Sequence, residues 1–287
     1  MAAAVTWGTT GATMVLVARR SPLGAGTIGF FRLLVASPIL LALAGLTGSF
    51  SASPLRPFLL RLALIGAAQA AFQIGYFGAV PRIGVGPTAL LAICTSPLII
   101  AVLAASFLGE RLTARVAVAL TAGIAGTALL VGRRFMLPGS PTATAVAGAA
   151  LALGGALAYA LYVVLAKAVV AHLPPLAIAG VSFSFAALFL LPAALGEPNL
   201  LAAIRPVWAH VAYLGIIPTA LAYTLYVRGL RFTSATAAGI GSLMEPLTAT
   251  LLGIAVFDES LGPQGLAGAA LLLAAVALLF LGDRQHP

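Results

Sequence analysis

The sequence predicts an all-α integral membrane protein, ten transmembrane helices forming two inverted five-helix repeats around a central cavity. Three observations predict it: the composition, the recurrence of long apolar runs, and a match of the chain to itself. Of 287 residues, 62% are hydrophobic and 7% charged, with a mean hydropathy of +1.13, whereas an ordinary soluble domain carries about 25% charged residues. A water-facing surface cannot be built from so few charges. The apolar runs recur along the whole chain, each near the roughly 20 residues a helix needs to cross a hydrocarbon core of about 30 Å.

Breaks at Pro, Gly and Arg place candidate spans at 2–18, 25–47, 57–80, 84–108, 112–132, 143–170, 175–195, 206–229, 233–257 and 261–282. The first has Arg19 and Arg20 after its apolar run, the reverse of a secretory leader, so it reads as a membrane span. Its abrupt start leaves room for a few residues upstream. The second contains Arg32, the third Gln69, Gln73 and Tyr76, and the fourth Cys94 and Pro97. The fifth carries Gly123-x-x-Gly126, a pattern that lets helices approach closely. The sixth holds Tyr159 and Tyr162, the seventh Ser182 and Ser184, the eighth Thr219, Tyr223 and Tyr226. The ninth holds Ser242, Glu245 and Pro246, and the tenth carries no charged residue. Connections of a few residues force neighbouring spans to run antiparallel.

Sliding the chain over itself by 149 positions pairs Arg56-Pro57 with Arg205-Pro206, Gly66 with Gly215 and Arg82 with Arg231. The same shift pairs Pro97-Leu98 with Pro246-Leu247, and Glu110-x-Leu112 with Glu259-x-Leu261. Pro, Arg and Glu are scarce in apolar sequence, so these coincidences mark a repeat. The chain divides into a first repeat at 1–132, a linker at 133–142 and a second repeat at 143–287. Five spans is an odd number, so the second copy enters the membrane from the opposite side. Inverted repeats of this kind place a substrate site near the midplane, at the repeat interface. With the N-terminus inside, eight basic residues fall on the cytoplasmic side and six outside, a weak bias toward a cytoplasmic N-terminus.

Gln69, Gln73 and Tyr76 follow i, i+4, i+7 spacing and share one helical stripe, as do Thr219, Tyr223 and Tyr226. An amide facing lipid leaves its donors and acceptors unsatisfied, so both stripes are expected to face the bundle interior or a wet cavity. Trp7, Thr10, Tyr159, Tyr162, Ser182 and Ser242 are further candidates for the lining; the bland reading makes them interhelical bridges or interfacial anchors. Pro97 and Pro246 each remove a backbone hydrogen bond within repeat-equivalent helices and read as kinks or as hinges. Glu110 and Glu259 occupy matching helix ends, which argues for scaffold.

Glu245 breaks the symmetry. It lies well inside its span and its repeat mate is the neutral Ser96. Such a charge costs about 2.5 to 3.5 kcal/mol to insert, and an intramembrane ionisable residue points to function. Arg32, in "GFFRLL", is the other deep charge. It is open to three readings: a pair with Glu245, a clamp for an anionic substrate group, or snorkelling to the interface. A Glu245 without a partner makes proton carriage possible.

Net charge is +9, yet the arginines are scattered between apolar runs without a basic stripe, so no nucleic-acid partner is expected. The lone Cys94 and three separated histidines, His172, His210 and His286, suggest neither metal nor cofactor, and no catalytic motif appears. The expected partners are a small molecule and the lipid bilayer, and a monomer suffices.

Trp7-Gly8 in the first span, Arg32 in the second and the twin P-x12-E-x-L signatures resemble the drug/metabolite transporter superfamily, and more narrowly its EamA-type exporters. The resemblance covers essentially the whole chain. It implies a basket-like bundle in a bacterial inner membrane, exporting amphipathic metabolites, often amino acids, by alternating access. A lining of Trp7, Tyr76, Tyr159, Tyr162, Tyr223 and Tyr226 would suit aromatic or aliphatic amino acids, and hydrophobic drugs as well. Phosphate-bearing substrates need a cationic cavity, which a single Arg32 does not supply. A lipid flippase and a non-transporting membrane protein are the rival classes.

Overall fold

The structure is a computed structural model and describes all residues except 51–54, 85–87, 89, 132–141, 258–261 and 283–287. The predicted linker 133–142 therefore lies, up to residue 141, outside the described residues, as do Glu259 and Leu261. Every regular element among the described residues is helical.

The first predicted span holds α1 (Ala2–Trp7) and α2 (Thr9–Ala18), parted at Gly8. Then follow α3 (Ala25–Leu46) and α4 (Leu59–Ile83). A π-helical segment, Leu90–Cys94, leads into α5 (Thr95–Leu108), followed by α6 (Ala114–Val131). The later part of the chain contains α7 (Thr142–Val169), α8 (Pro175–Leu195) and the short α9 (Leu200–Ile204). Next come α10 (Trp208–Gly215), a second π-helical segment (Ile216–Leu221) and α11 (Ala222–Leu230). α12 (Ala235–Ser242), α13 (Met244–Phe257) and α14 (Pro263–Gly282) complete the order. Among the described residues, six stretches are long and apolar enough to cross a membrane: Ala25–Leu46, Arg56–Ile83, Leu91–Leu108, Ala143–Val169, Pro175–Leu195 and Trp208–Leu230.

Local chemistry explains the boundaries. α8 begins on Pro175, whose fixed φ and missing N–H suit a first helical position. α5 ends at Gly109 with φ +67, the left-handed stop that glycine adopts without strain. Ser234 caps α12 by accepting from the Ala237 N–H at 3.0 Å. Pro97 and Pro246 are each the third residue of their helix, a first-turn place where proline is tolerated. Each therefore stands just after an irregularity: the π-helical segment before α5, and the break at Leu243 between α12 and α13.

The helices are apolar all round, as a bilayer requires. Leu33, Leu40, Leu62, Ile65, Phe183 and Leu190 meet in the largest core, while Leu46, Leu60, Phe107, Leu195 and Leu201 are exposed around the outside. α3 packs along α8, α4 along α7 and α8, and α6 along α14. The repeat-matched Gly66 and Gly215 do similar work. A Cβ on Gly66 would stand 2.5 Å from the Ser182 carbonyl oxygen of α8. On Gly215 it would stand 2.6 Å from Val35 Cβ of α3. Only glycine admits such backbone approach.

Two carboxylates tie early helices to late ones. Glu110, just past α5, accepts from the Ala235 N–H at 2.6 Å, the Thr236 N–H at 3.1 Å and the Thr236 hydroxyl at 2.7 Å, closing the start of α12. Glu197 accepts from the Gly24 N–H at 3.1 Å and the Thr27 hydroxyl at 2.8 Å at the start of α3.

Candidate functional site: a buried aromatic cavity

Elements from both ends of the chain line a partly open cavity of about 30 Å³, room for about two waters. Trp7 of α1, Thr10 of α2 and Arg32 of α3 line it, with Phe72, Tyr76 and Phe77 of α4. Ala92 and Ile93 of the first π-helical segment, Ser96 of α5, Tyr159 of α7, Tyr223 of α11, Ser242 of α12 and Glu245 of α13 complete the wall. Ser96 and Glu245, the repeat mates, thus share one chamber.

Of the residues singled out by sequence, Trp7, Thr10, Arg32, Tyr76, Tyr159, Tyr223, Ser242 and Glu245 are brought together on this lining. The others stand behind it. Gln69 donates from Nε2 to the Tyr223 hydroxyl at 3.1 Å, so it steadies a lining residue. Tyr162 packs edge-on against Tyr223, centroids 5.5 Å apart, and Tyr226 lies 5.1 Å from Trp7. Gln73 is fully buried, and Ser182 turns its hydroxyl back to the Ile178 carbonyl of its own helix at 2.6 Å. Pro97 and Pro246 are buried beside the chamber without lining it. The sequence reading passed over Phe72 and Phe77, although Phe72 lies three residues after Gln69, on the same helical face.

The rings form one continuous surface. Trp7 sits 4.9 Å from Tyr223 and 6.3 Å from Tyr159, and Tyr159 lies 5.5 Å from Phe72. Such faces bind apolar groups by area and cations through the ring quadrupole. Around them, several buried polar atoms have no partner: Trp7 Nε1, Thr10 Oγ1, Gln69 Oε1, both polar atoms of the Gln73 amide and the Tyr162 hydroxyl. Each costs about 1–3 kcal/mol if it stays dry. Their concentration on the helices around one chamber, in a chain otherwise so apolar, marks a place built to hold something polar.

The two deep charges do not close an ion pair within 4.0 Å among the described residues. Arg32 instead donates from Nε to the Thr219 hydroxyl at 2.5 Å and from Nη2 to the Pro218 carbonyl at 3.1 Å, both in the second π-helical segment. Snorkelling is excluded too, since Arg32 is only 3% exposed. Glu245 keeps part of its surface open to the cavity.

A chain of stacked apolar helices around a small polar chamber defines a multi-pass membrane transporter, and the comparisons agree. Residues 1–132 and 146–281 match the EamA-like transporter family, and the chain belongs to it. It is similar to the uncharacterized transporter YwfM of Bacillus subtilis, 30% identical over 99% of this chain and 93% of that one. It is similar as well to the uncharacterized inner membrane transporter YicL of Salmonella typhimurium, 28% identical over 99% of this chain and 94% of that one. A solved crystal structure, 23% identical, shares the fold with a TM-score of 0.81 over 99% of this chain and 96% of the other.

Proposed function

We propose that this transporter is a secondary carrier exporting small amphipathic metabolites, aromatic and hydrophobic amino acids first among them, by alternating access. The resemblance to exporters such as the aromatic amino acid exporter YddG suggests that specificity. The proposed setting is a bacterial inner membrane, with the N-terminus in the cytoplasm.

One observation carries the reading: Glu245, an acid without an ion-pair partner among the described residues, opens onto a chamber walled by Trp7, Tyr76, Tyr159 and Tyr223. In this reading a substrate ammonium meets Glu245 and the ring faces, its side chain lies on the aromatic surface, and its carboxylate takes free donors such as the Trp7 indole N–H. The chamber holds too little for any metabolite, so loading requires the two units to part, which is what alternating access demands. The two stretches of the family match support units at 1–132 and 143–287, and the matched approaches at Gly66 and Gly215 support an inverted relation between them. One chain encloses the chamber, so the proposed unit is a monomer. Hydrophobic cationic drugs are the second candidate class, since the same acid and rings would hold them.

The test is uptake into proteoliposomes of radiolabelled phenylalanine, tryptophan, leucine and a cationic drug, with and without a pH gradient, by the wild type and Glu245→Gln. The wild type is expected to move an aromatic amino acid above empty liposomes, and the variant, folded by size-exclusion chromatography, to fall to background. If no amino acid moves, or if Glu245→Gln transports normally, the reading fails.

A further inference from the structure

We infer that Arg32 is a positioning residue: it holds the π-helical turn at 216–221 and through that turn sets where Tyr223 stands in the cavity. This builds on the proposed transport function only in what Tyr223 is for; the geometry stands alone.

The turn has an identifiable cause. Pro218 has no N–H, so the Leu214 carbonyl, four residues back, loses the donor an α-helix would supply. The Thr219 hydroxyl replaces it, donating to the Leu214 carbonyl at 2.6 Å. The same hydroxyl oxygen accepts from Arg32 Nε at 2.5 Å, and Arg32 Nη2 reaches the Pro218 carbonyl at 3.1 Å. Gly215 lets α10 sit close enough for this: a Cβ there would stand 2.9 Å from the Arg32 carbonyl oxygen. Arg32 and Thr219 are both buried, so the bond between them is made away from water.

The consequence reaches the cavity because a π turn carries one residue more than an α turn, and one residue is about 100° of rotation. Tyr223 is the second residue of the helix that follows the turn, α11. In the observed register its ring lies 4.9 Å from that of Trp7 and its hydroxyl oxygen accepts from the Gln69 amide Nε2 at 3.1 Å. Relaxing the turn to a regular α-helix would swing Tyr223 away from both. Arg32 thus spends two of its three nitrogens on helix geometry, and the guanidinium that a sequence reading offers as a substrate clamp serves the shape of the wall.

The experiment uses the full chain with Trp208→Phe, which leaves Trp7 as the one remaining tryptophan of the sequence, so emission reports on the ring packed against it. Arg32→Lys, Arg32→Gln and Thr219→Val are compared, singly and as the Arg32→Gln/Thr219→Val double variant. Thr219 does not line the cavity, and valine preserves its shape. Thr219→Val is expected to reproduce the red shift of Arg32→Gln, with the double variant shifting no further than either single one. Arg32→Lys, which keeps the charge but not the fork, is expected to shift it as well. Half-saturation in proteoliposomes should rise by about tenfold for phenylalanine and for phenethylamine alike. A Thr219→Val protein with unchanged emission overturns the inference, and so does an Arg32→Gln protein that loses phenylalanine but keeps phenethylamine, the behaviour of a carboxylate clamp. Should Arg32→Gln fail to fold, Thr219→Val decides alone. Should the wild type move neither probe, the transport reading fails while the emission comparison still decides this one.

Discussion

At the residue scale, the Gln69–Tyr223 contact shows how tightly the polar groups of the wall depend on one another. Removing the amide in Gln69→Leu leaves the buried Tyr223 hydroxyl without its donor, a loss of about 1–3 kcal/mol. Thermal unfolding in detergent should show a lowered midpoint, partly restored in Gln69→Leu/Tyr223→Phe, where neither polar group remains; a double variant less stable than Gln69→Leu would contradict the assignment. Glu245, Trp7, Tyr76 and Tyr223 share the lining, and the sequence pointed to them because a polar or ionisable group facing lipid is left unsatisfied. The partners of Arg32 were not legible. They lie 187 and 186 residues away and are an ordinary threonine hydroxyl and a backbone carbonyl, for which no side-chain pattern exists. The sequence offered Glu245 as the natural counter-ion, whereas the geometry satisfies the guanidinium with the freed groups of a π turn.

At the element scale, the positions of the helices followed the apolar runs closely, since bilayer thickness sets their length. Their internal breaks did not. Pro218 announces a lost hydrogen bond, but whether a chain answers with a kink, a break or a wider turn depends on what neighbouring helices supply. Glu110 illustrates the opposite case, where repeat position suggested a scaffold role and the structure supplies its mechanism: three hydrogen bonds closing the start of α12. Glu110→Ala removes them and should lower stability by about 1–2 kcal/mol. Hydrogen exchange should speed up at the first amides of α12 and leave α4 unaffected. Glu110→Gln, which keeps an acceptor oxygen, is expected to fall between. Unchanged protection at Ala235 and Thr236 in the alanine variant would mean that the carboxylate does not hold that helix end.

At the scale of the whole molecule, self-similarity at a shift of 149 is the sequence's argument for two units, because scarce residues have to coincide. Chamber size was not readable. It depends on how far the units are closed, a property of packing between distant helices. The chamber holds about 30 Å³, enough for about two waters, and several buried polar atoms around it lack partners among the described residues. Under the proposed alternating access, both features belong to a contracted state of a space that opens for transport.

The most direct measurement is therefore the accessibility of Ser96, a small residue on the lining. In a Cys94→Ser background, Ser96→Cys is treated with a membrane-impermeant methanethiosulfonate from either side of oriented vesicles. Labelling from both sides is predicted, with protection by a transported amino acid. A cysteine that reacts from neither side, in a protein that still folds, would contradict a chamber that opens to water.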